Sequence, residues 1–163
     1  MEKIRKITTP LSSKQLTALK AGDLIELSGT IYTARDQAHK LLIEEIEKGN
    51  SLPIPSGAII YYAGPSPAKQ NEVIGSCGPT TSGRMDPFTP TLIEKGFVIS
   101  IGKGSRNKEV EDSIKNNNGL YLAALGGCGA LLHSKILSAQ CIAYKELLSE
   151  AIYKLEVKDF PLV

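Results

Sequence analysis

The chain has 163 residues, of which 42% are hydrophobic and 22% are charged, and its formal net charge is +2. This length suits a single domain over residues 1–163, and the composition excludes a disordered tail, a collagen-like repeat and a disulfide-rich miniprotein. The basic residues are spread out, aromatic residues are few and apolar runs reach only six residues, so we expect no nucleic-acid partner, no membrane partner and no secretory signal.

Hydrophobic periodicity and turn residues predict strands and helices that alternate along the chain. The predicted strands are residues 4–8, 24–32, 58–63, 72–76, 97–101, 120–125, 140–144 and 152–157. The predicted helices are residues 12–19, 33–48, 87–94 and 106–115, with one helical turn after residues 126–129. Alternating strands and helices predict a mixed α/β, β-rich fold in which helices pack on a sheet.

The first polar segment after a predicted strand is residues 32–36. Thr33 and Asp36 have the spacing of a capping box, which predicts that a helix begins here. Arg35 then lies in the first turn, where the helix dipole disfavours a cation. An external anion as the partner of Arg35 would explain this placement. The alternative is a solvent-facing Arg35 paired with Asp36 or Glu26.

The second segment, residues 75–86, holds hydroxyls, glycines and one arginine, and Met85 is its one large aliphatic side chain. From Gly78 onward it approaches the phosphate-binding P-loop, but Arg84 and Met85 replace the Lys and the Ser or Thr of that motif. We therefore do not expect nucleoside triphosphate binding. The segment predicts an anion-binding loop of backbone N–H groups, hydroxyls and Arg84. The alternative is an ordinary turn-rich loop.

The third segment is Gly102, Lys103 and Gly104, directly after the predicted strand 97–101. Glycines allow a close approach of the backbone to a ligand, and strand ends are where α/β sheets bind ligands. An ordinary exposed turn is the alternative. Together, Arg35, Arg84 and Lys103 suit a small dicarboxylate, because Arg binds a carboxylate bidentately and Lys acts as a mobile point charge.

The histidines and cysteines carry weaker signals. His39 follows Arg35 by one helical turn and could support it, although a partly exposed position is favoured, and His133 is expected at the surface. The odd number of cysteines, Cys77, Cys128 and Cys141, fits a reducing, cytoplasmic location. Small buried hydrophobes or a loop thiol are favoured over an iron–sulfur cluster held by this chain alone, and no metal ligand is assigned. The sequence contains no visible acid–base pair or catalytic triad. We therefore expect this chain to supply only one half of an active site.

The same three segments carry a family resemblance. They read YTARDQAHK at residues 32–40, GSCGPTTSGRMD at residues 75–86 and IGKG at residues 101–104. These motifs, and the tail at residues 150–161, resemble the C-terminal domain of iron–sulfur class I fumarases and equally the β subunit of L-tartrate dehydratase. The resemblance covers essentially the whole chain. Residues 126–131 depart from the family's Ala-rich stretch, which makes Cys128 a packing variant.

The resemblance implies a compact swivelling β/β/α domain and a hydro-lyase reaction. The family reaction is reversible hydration of a carbon–carbon double bond in a dicarboxylate, such as fumarate to L-malate, with tartrate dehydration as the alternative. A 4Fe–4S cluster acts as Lewis acid on the hydroxyl, and its cysteines belong to an α subunit or N-terminal domain outside this chain. The implied assembly has two α and two β chains.

The resemblance also assigns roles to residues. Arg35, Arg84 and Lys103 would bind the substrate carboxylates, while Thr80 and Thr81 would lie near the carbon that loses its proton, with Thr80 as the suggested base. Arg84 is counted as catalytic too, since preorganised cations stabilise an enolate-like transition state. A non-catalytic anion-binding or assembly module on the same fold is the alternative function. The residues expected to support the site are Asp36, His39, Gly78, Ser82, Gly83, Asp86, Gly102 and Gly104.

Overall fold

The computed structural model describes residues 3–125 and 127–163, which form one sheet flanked by helices. The strands are β1 (Arg5–Thr8), β2 (Ile25–Thr33), β3 (Ile60–Tyr61), β4 (Ile99–Gly102), β5 (Leu120–Ala123), β6 (Ile136–Ala143) and β7 (Ile152–Leu162). The α-helices are α1 (Ser13–Ala18), α2 (Asp36–Glu47), α3 (Thr89–Glu94), α4 (Lys108–Asn116) and α5 (Gly129–His133). Two short 3₁₀ segments span Ser82–Met85 and Lys145–Glu150.

The sheet has seven strands in the order β5-β4-β3-β2-β7-β6, with β1 paired to β2. Strands β2, β3, β4 and β5 are mutually parallel, whereas β7 is antiparallel to β2 and β6 is antiparallel to β7. The predicted mixed α/β fold is therefore confirmed. Because parallel strands point the same way, the carboxyl ends of β2 to β5 lie along one edge of the sheet, where such sheets bind ligands.

Side chains that alternate along the strands build a core on each face of the sheet. Tyr61 belongs to a cluster that also holds Leu27, Leu155 and Phe160, and α1 and α5 contribute side chains to this face. Tyr62, the next residue, belongs to a second cluster in which α2 and α3 take part. The carboxyl-end edge is thus fixed between two packed layers.

The predicted elements are found with shifted ends, and one strand is wrong. Residues 72–76 contain a bend at residues 73–75 and no strand. Gly75 N–H donates to the Ser66 carbonyl (3.0 Å) and the Ser76 carbonyl accepts from Ser66 N–H (2.9 Å). Of the predicted strand 58–63, only Ile60 and Tyr61 form a strand, β3. The predicted buried strand 120–125 is the half-buried edge strand β5.

The last two strands are longer than predicted because pairing with neighbours, not local pattern, sets their length. β7 pairs with β2 along almost its whole length, and the pairing changes register between Leu27 and Gly29 of β2. β6 begins at Ile136, where it meets Val157 of β7. Part of the glycine-rich turn predicted at 126–129, namely residue 126, lies outside the described residues. In the described part of the chain, no helix has the length and hydropathy needed to cross a bilayer.

Candidate functional site

The start of α2 differs from the predicted capping box. Thr33 is fully buried at the end of β2, where its hydroxyl donates to the Ala151 carbonyl (3.4 Å) and accepts from Tyr153 N–H (3.1 Å). The helix begins at Asp36, and Arg35 is its N-cap in an extended conformation without a side-chain cap bond. The helix thus starts later than predicted because these long-range bonds, to the start of β7 and to the residue before it, hold Thr33 in the sheet.

Arg35 and Arg84 meet at one carboxylate. Arg84 Nε donates to Asp36 Oδ1 at 3.1 Å, and Arg35 Nη2 lies 3.9 Å from Asp36 Oδ2. Among the described residues, the buried Arg35 Nε and Asp36 Oδ2 have no hydrogen-bond partner. The structure therefore brings two of the three predicted cations together and selects Asp36, not Glu26, as the partner of Arg35.

Arg84 belongs to a loop, residues 78–86, that we call the Arg84 loop. It crosses the carboxyl ends of β3 and β4: Thr80 N–H donates to the Tyr62 carbonyl (2.6 Å), and Ser82 N–H donates to the Lys103 carbonyl (2.9 Å). Thr81 and Lys103 also form an isolated parallel bridge. The backbone of Lys103 thus lies beside the Arg84 loop at the same edge of the sheet.

Residues 102–104, which we call the Lys103 turn, need their first glycine for space. A Cβ at Gly102 would collide with Ser82 Oγ and lie 2.8 Å from Tyr62 Cδ2. Gly104 has a φ of +83°, a conformation that favours glycine. Gly102 therefore allows the close packing of the turn against the Arg84 loop.

The site is open to solvent on its outer side. Thr81 and Gly83 are exposed, Thr80 and Gly78 are half-buried, and the Arg84 side chain is 54% exposed. Ser82 and Asp86 are buried beneath them. The donor groups therefore lie on an exposed surface and their supporting residues lie beneath it. Such a surface suits contact with a second molecule.

A buried arginine that the sequence analysis did not single out lies under the site. Arg106 Nε donates to Asp86 Oδ1 at 2.7 Å, and Arg106 Nη2 donates to Thr89 Oγ1 at 2.8 Å. The sequence places Arg106 at the start of a polar helix, where an exposed side chain is the normal expectation. Arg106 follows the glycine-rich end of a predicted strand, and this position is the sequence signal that could have indicated a role near the candidate site.

His39 is fully buried, so the favoured prediction of partial exposure is wrong. Its Nδ1–H donates to the Arg35 carbonyl at 2.8 Å, and its ring packs against Tyr62 and Phe88 at centroid distances of 5.5 and 5.7 Å. Burial lowers the pKa of His39 to about 4, although the bond to Arg35 and the Asp36 charge oppose the change. His39 is therefore neutral at pH 7 and anchors the backbone that carries Arg35.

The buried His39 predicts a loss of stability in mild acid. The unfolded chain protonates this residue near pH 6.5 and the folded chain only near pH 4, so between these values the unfolded state binds more protons and is favoured as pH falls. At 1.36 kcal/mol per pKa unit, we expect about 3 kcal/mol to be lost across this window. Urea unfolding of the wild type and of His39→Gln, at about pH 7 and about pH 4.5, measures the difference.

The matched control for this pH effect is His133→Gln. His133 is half-buried, with Nδ1 3.1 Å from the Ile74 carbonyl, so it lies deeper than the predicted surface position. We expect His39→Gln to reduce the acid sensitivity by more than His133→Gln does, because His39 is fully buried and His133 is not. Equal pH dependence in wild type and His39→Gln would contradict the assignment.

The cysteines of this chain do not fit a 4Fe–4S cluster. All three are free, and Cys77 is fully buried in the core, where burial raises the pKa of its thiol to about 12. Cluster ligands are thiolates, and the apolar core around Cys77 disfavours the charged thiolate form. Cys141 lies in β6 opposite Tyr153, and in the described residues no three His, Cys, Asp or Glu side chains are grouped to hold a metal.

Comparisons with known proteins identify the family of this chain. A profile of the family described as "Fumarase C-terminus" matches residues 2–163. The aerobic class I fumarate hydratase of Escherichia coli is 41% identical over 150 residues, which is 90% of this chain and 27% of that protein. Fumarate hydratase 2 of Leishmania major is 40% identical over 151 residues, which is 91% of this chain and 27% of that protein.

A shorter relative matches nearly from end to end. A protein of Methanocaldococcus jannaschii, named as a candidate L(+)-tartrate dehydratase β subunit, is 39% identical over 160 residues, which is 94% of this chain and 82% of that protein. By contrast, the chain spans about a quarter of the length of the curated fumarate hydratases it matches. The resemblance drawn from the three motifs is thus confirmed: the chain belongs to the fumarase C-terminal domain family.

Proposed function

We propose that this chain is the β subunit of an iron–sulfur hydro-lyase that reversibly hydrates a small dicarboxylate, with fumarate and L-malate as the substrate pair. The observation that carries the proposal is the meeting of Arg35 and Arg84 at Asp36, on the open carboxyl-end edge of the parallel strands. The relatives named as fumarate hydratases and as a tartrate dehydratase β subunit support the same reaction class.

The charge of the site suits a dianion. Arg35, Arg84 and Lys103 carry three positive charges, and Asp36 neutralises one of them. The remaining two match the charge of a dicarboxylate. Arg84 uses Nε for Asp36, which leaves its Nη groups to bind a carboxylate, and Arg–carboxylate bonds of this kind are among the stronger hydrogen bonds.

Thr80 and Thr81 are assigned to the proton transfer. In the dehydration direction, a proton leaves the carbon next to a carboxylate, and the electron pair left behind delocalises onto that carboxylate. Arg35 and Arg84 stabilise the extra negative charge, which is where preorganised donors contribute most to rate. Thr80, whose N–H is held by the Tyr62 carbonyl, is the proposed base: as the alkoxide it takes the proton from carbon onto Oγ and becomes the neutral hydroxyl. We assign loss of the hydroxide to groups outside this chain.

The proposal requires a partner. The cysteines of this chain do not fit the cluster, and the face that bears Thr81 and Arg84 is exposed. We assign the cluster to an α subunit that covers this face, in an assembly of two α and two β chains. In the fumarate hydratases that match this chain, the matched region is 27% of a longer protein, which is consistent with both halves being joined there.

Reconstitution tests the proposed function. The chain is expressed alone and together with a candidate α subunit, both anaerobically, and hydration of fumarate and dehydration of L-malate and tartrate are assayed. We expect turnover only in the paired sample. Activity of the lone chain in metal-free buffer would contradict the division of labour, and a preference for tartrate would select the tartrate dehydratase assignment.

A non-catalytic anion-binding or assembly module is the second candidate function. The open site favours this second candidate, because the cations of this chain can bind a dicarboxylate but do not by themselves convert it. It predicts dicarboxylate binding, measured by calorimetry, with no turnover in any pairing. Turnover in the reconstituted pair would exclude it.

A further inference from the structure

Arg106 makes more polar contacts than a surface residue needs. Its side chain is 2% exposed, and its guanidinium donates to Asp86 Oδ1 (2.7 Å), Thr89 Oγ1 (2.8 Å), Tyr62 OH (3.2 Å) and Ser100 Oγ (3.3 Å). These partners come from the Arg84 loop, α3, the residue that follows β3, and β4. One side chain thus joins the elements that surround the candidate site.

Two tyrosine rings enclose the same guanidinium. The Arg106 Cζ lies 5.1 Å from the ring centroid of Tyr62 and 5.0 Å from that of Tyr121, within the range of cation–π attraction. The Tyr121 hydroxyl donates to the Gly104 carbonyl at 2.7 Å and lies 2.9 Å from Ser82 Oγ. Tyr121 therefore bonds to the Lys103 turn with one contact and to the Arg84 loop with the other.

Stability alone is a poor explanation for this arrangement. A buried ion pair often contributes no more than well-packed hydrophobic residues of the same volume, so Arg106 and Asp86 add little net stability over an apolar core. What the pair adds is geometry, because each donor of the guanidinium fork has one direction. Asp86 also accepts from Asn107 N–H at 2.8 Å, so the end of the Arg84 loop is held from two sides.

Resting on the function proposed above, we propose that Arg106 and Tyr121 are positioning residues that set the separation between Arg84 and Lys103. This separation determines the distance between carboxylates that the site accepts. Neither residue touches the substrate, since Arg106 is buried and the hydroxyl of Tyr121 is engaged by Gly104 and Ser82. The pair thereby selects dicarboxylates by chain length.

The deciding variant is Tyr121→Phe, which keeps the ring beside Arg106 and removes both hydroxyl contacts. In the reconstituted enzyme we measure competitive inhibition by malonate, succinate and glutarate, which have three, four and five carbons. We expect the preference among the three acids to change by roughly 2- to 10-fold, a shift on the scale of the net value of a hydrogen bond, with KM raised more than kcat is lowered. A role in stability alone would leave the preference unchanged.

A second readout does not depend on turnover. Amide hydrogen exchange of the lone chain reports the bond from Ser82 N–H to the Lys103 carbonyl. We expect faster exchange at Ser82 in Tyr121→Phe, and no change in β2 and β7. Tyr144→Phe is the matched control, because the Tyr144 hydroxyl has no partner among the described residues.

Arg106→Lys is the stronger variant, and Tyr121→Phe decides the matter if Arg106→Lys does not fold. In a folded Arg106→Lys enzyme we expect the same direction of change in acid preference as in Tyr121→Phe. Unaltered preference together with unaltered Ser82 exchange in Tyr121→Phe would overturn the positioning role. Absence of turnover in the wild-type pair would instead overturn the proposed function, and the exchange measurement would still decide for or against positioning.

Discussion

Replacing Arg84 with alanine is expected to lower kcat/KM of the reconstituted enzyme for fumarate by about 10²–10³, the usual effect of removing one preorganised donor from a developing negative charge. The loss should fall on kcat as well as KM, because the charge next to the carboxylate grows in the transition state. Steady-state hydration of fumarate at several substrate concentrations separates the two.

The Arg84 side chain is 54% exposed and, among the described residues, it pairs with Asp36, so its removal should cost no more than ~1 kcal/mol of stability. Arg5→Ala is the matched control, because Arg5 pairs with Asp23 and is the first residue of β1, at the amino end of that strand. We expect Arg5→Ala to retain wild-type kinetics. If Arg84→Ala weakened dicarboxylate binding but kept kcat, the non-catalytic binding role of Arg84 would be favoured.

Replacing Asp86 with alanine is expected to lower the free energy of unfolding by about 3–5 kcal/mol, because it leaves the buried Arg106 guanidinium without its carboxylate. The two side chains are 7% and 2% exposed, and the N–O distance is 2.7 Å. For a domain whose whole stability is about 5–15 kcal/mol, this loss brings the chain close to unfolding. Urea unfolding of the lone chain measures it.

Asp23→Ala is the matched control for Asp86→Ala, because it breaks an ion pair of similar length, 2.9 Å, whose side chains are 42% and 22% exposed. We expect a cost below ~1 kcal/mol there. Asp86→Asn should lie between the two, since the amide oxygen still accepts one bond. A loss for Asp86→Ala no larger than that for Asp23→Ala would show that the buried pair does not hold the loop.

Several features of the fold could be predicted because their signals are local. The spacing of Ala38 and Leu42 predicts the face of α2 that is buried, and Pro90 predicts the entry into α3. The strand predicted at residues 72–76 failed because a short run with one Ile also suits a bend. What decides between the two is whether a neighbouring strand is free to pair with it, and here Gly75 bonds to Ser66 instead.

For the site, the amino-acid sequence by itself predicted that Arg35 and Lys103 come together, because each follows a parallel strand and parallel strands end at a common edge. The strand predicted before Arg84 is not formed, so only the tertiary structure places Arg84 at that edge, through the backbone bonds of Thr80 and Ser82. The tertiary structure decided that Asp36 lies between Arg35 and Arg84, that His39 is buried and neutral, and that Arg106 faces inward. The physical reason is that the burial and pairing of a polar side chain depend on residues distant along the chain. Arg106 is buried against Asp86 and His39 against Tyr62, and the local pattern of hydrophobic residues does not predict such contacts.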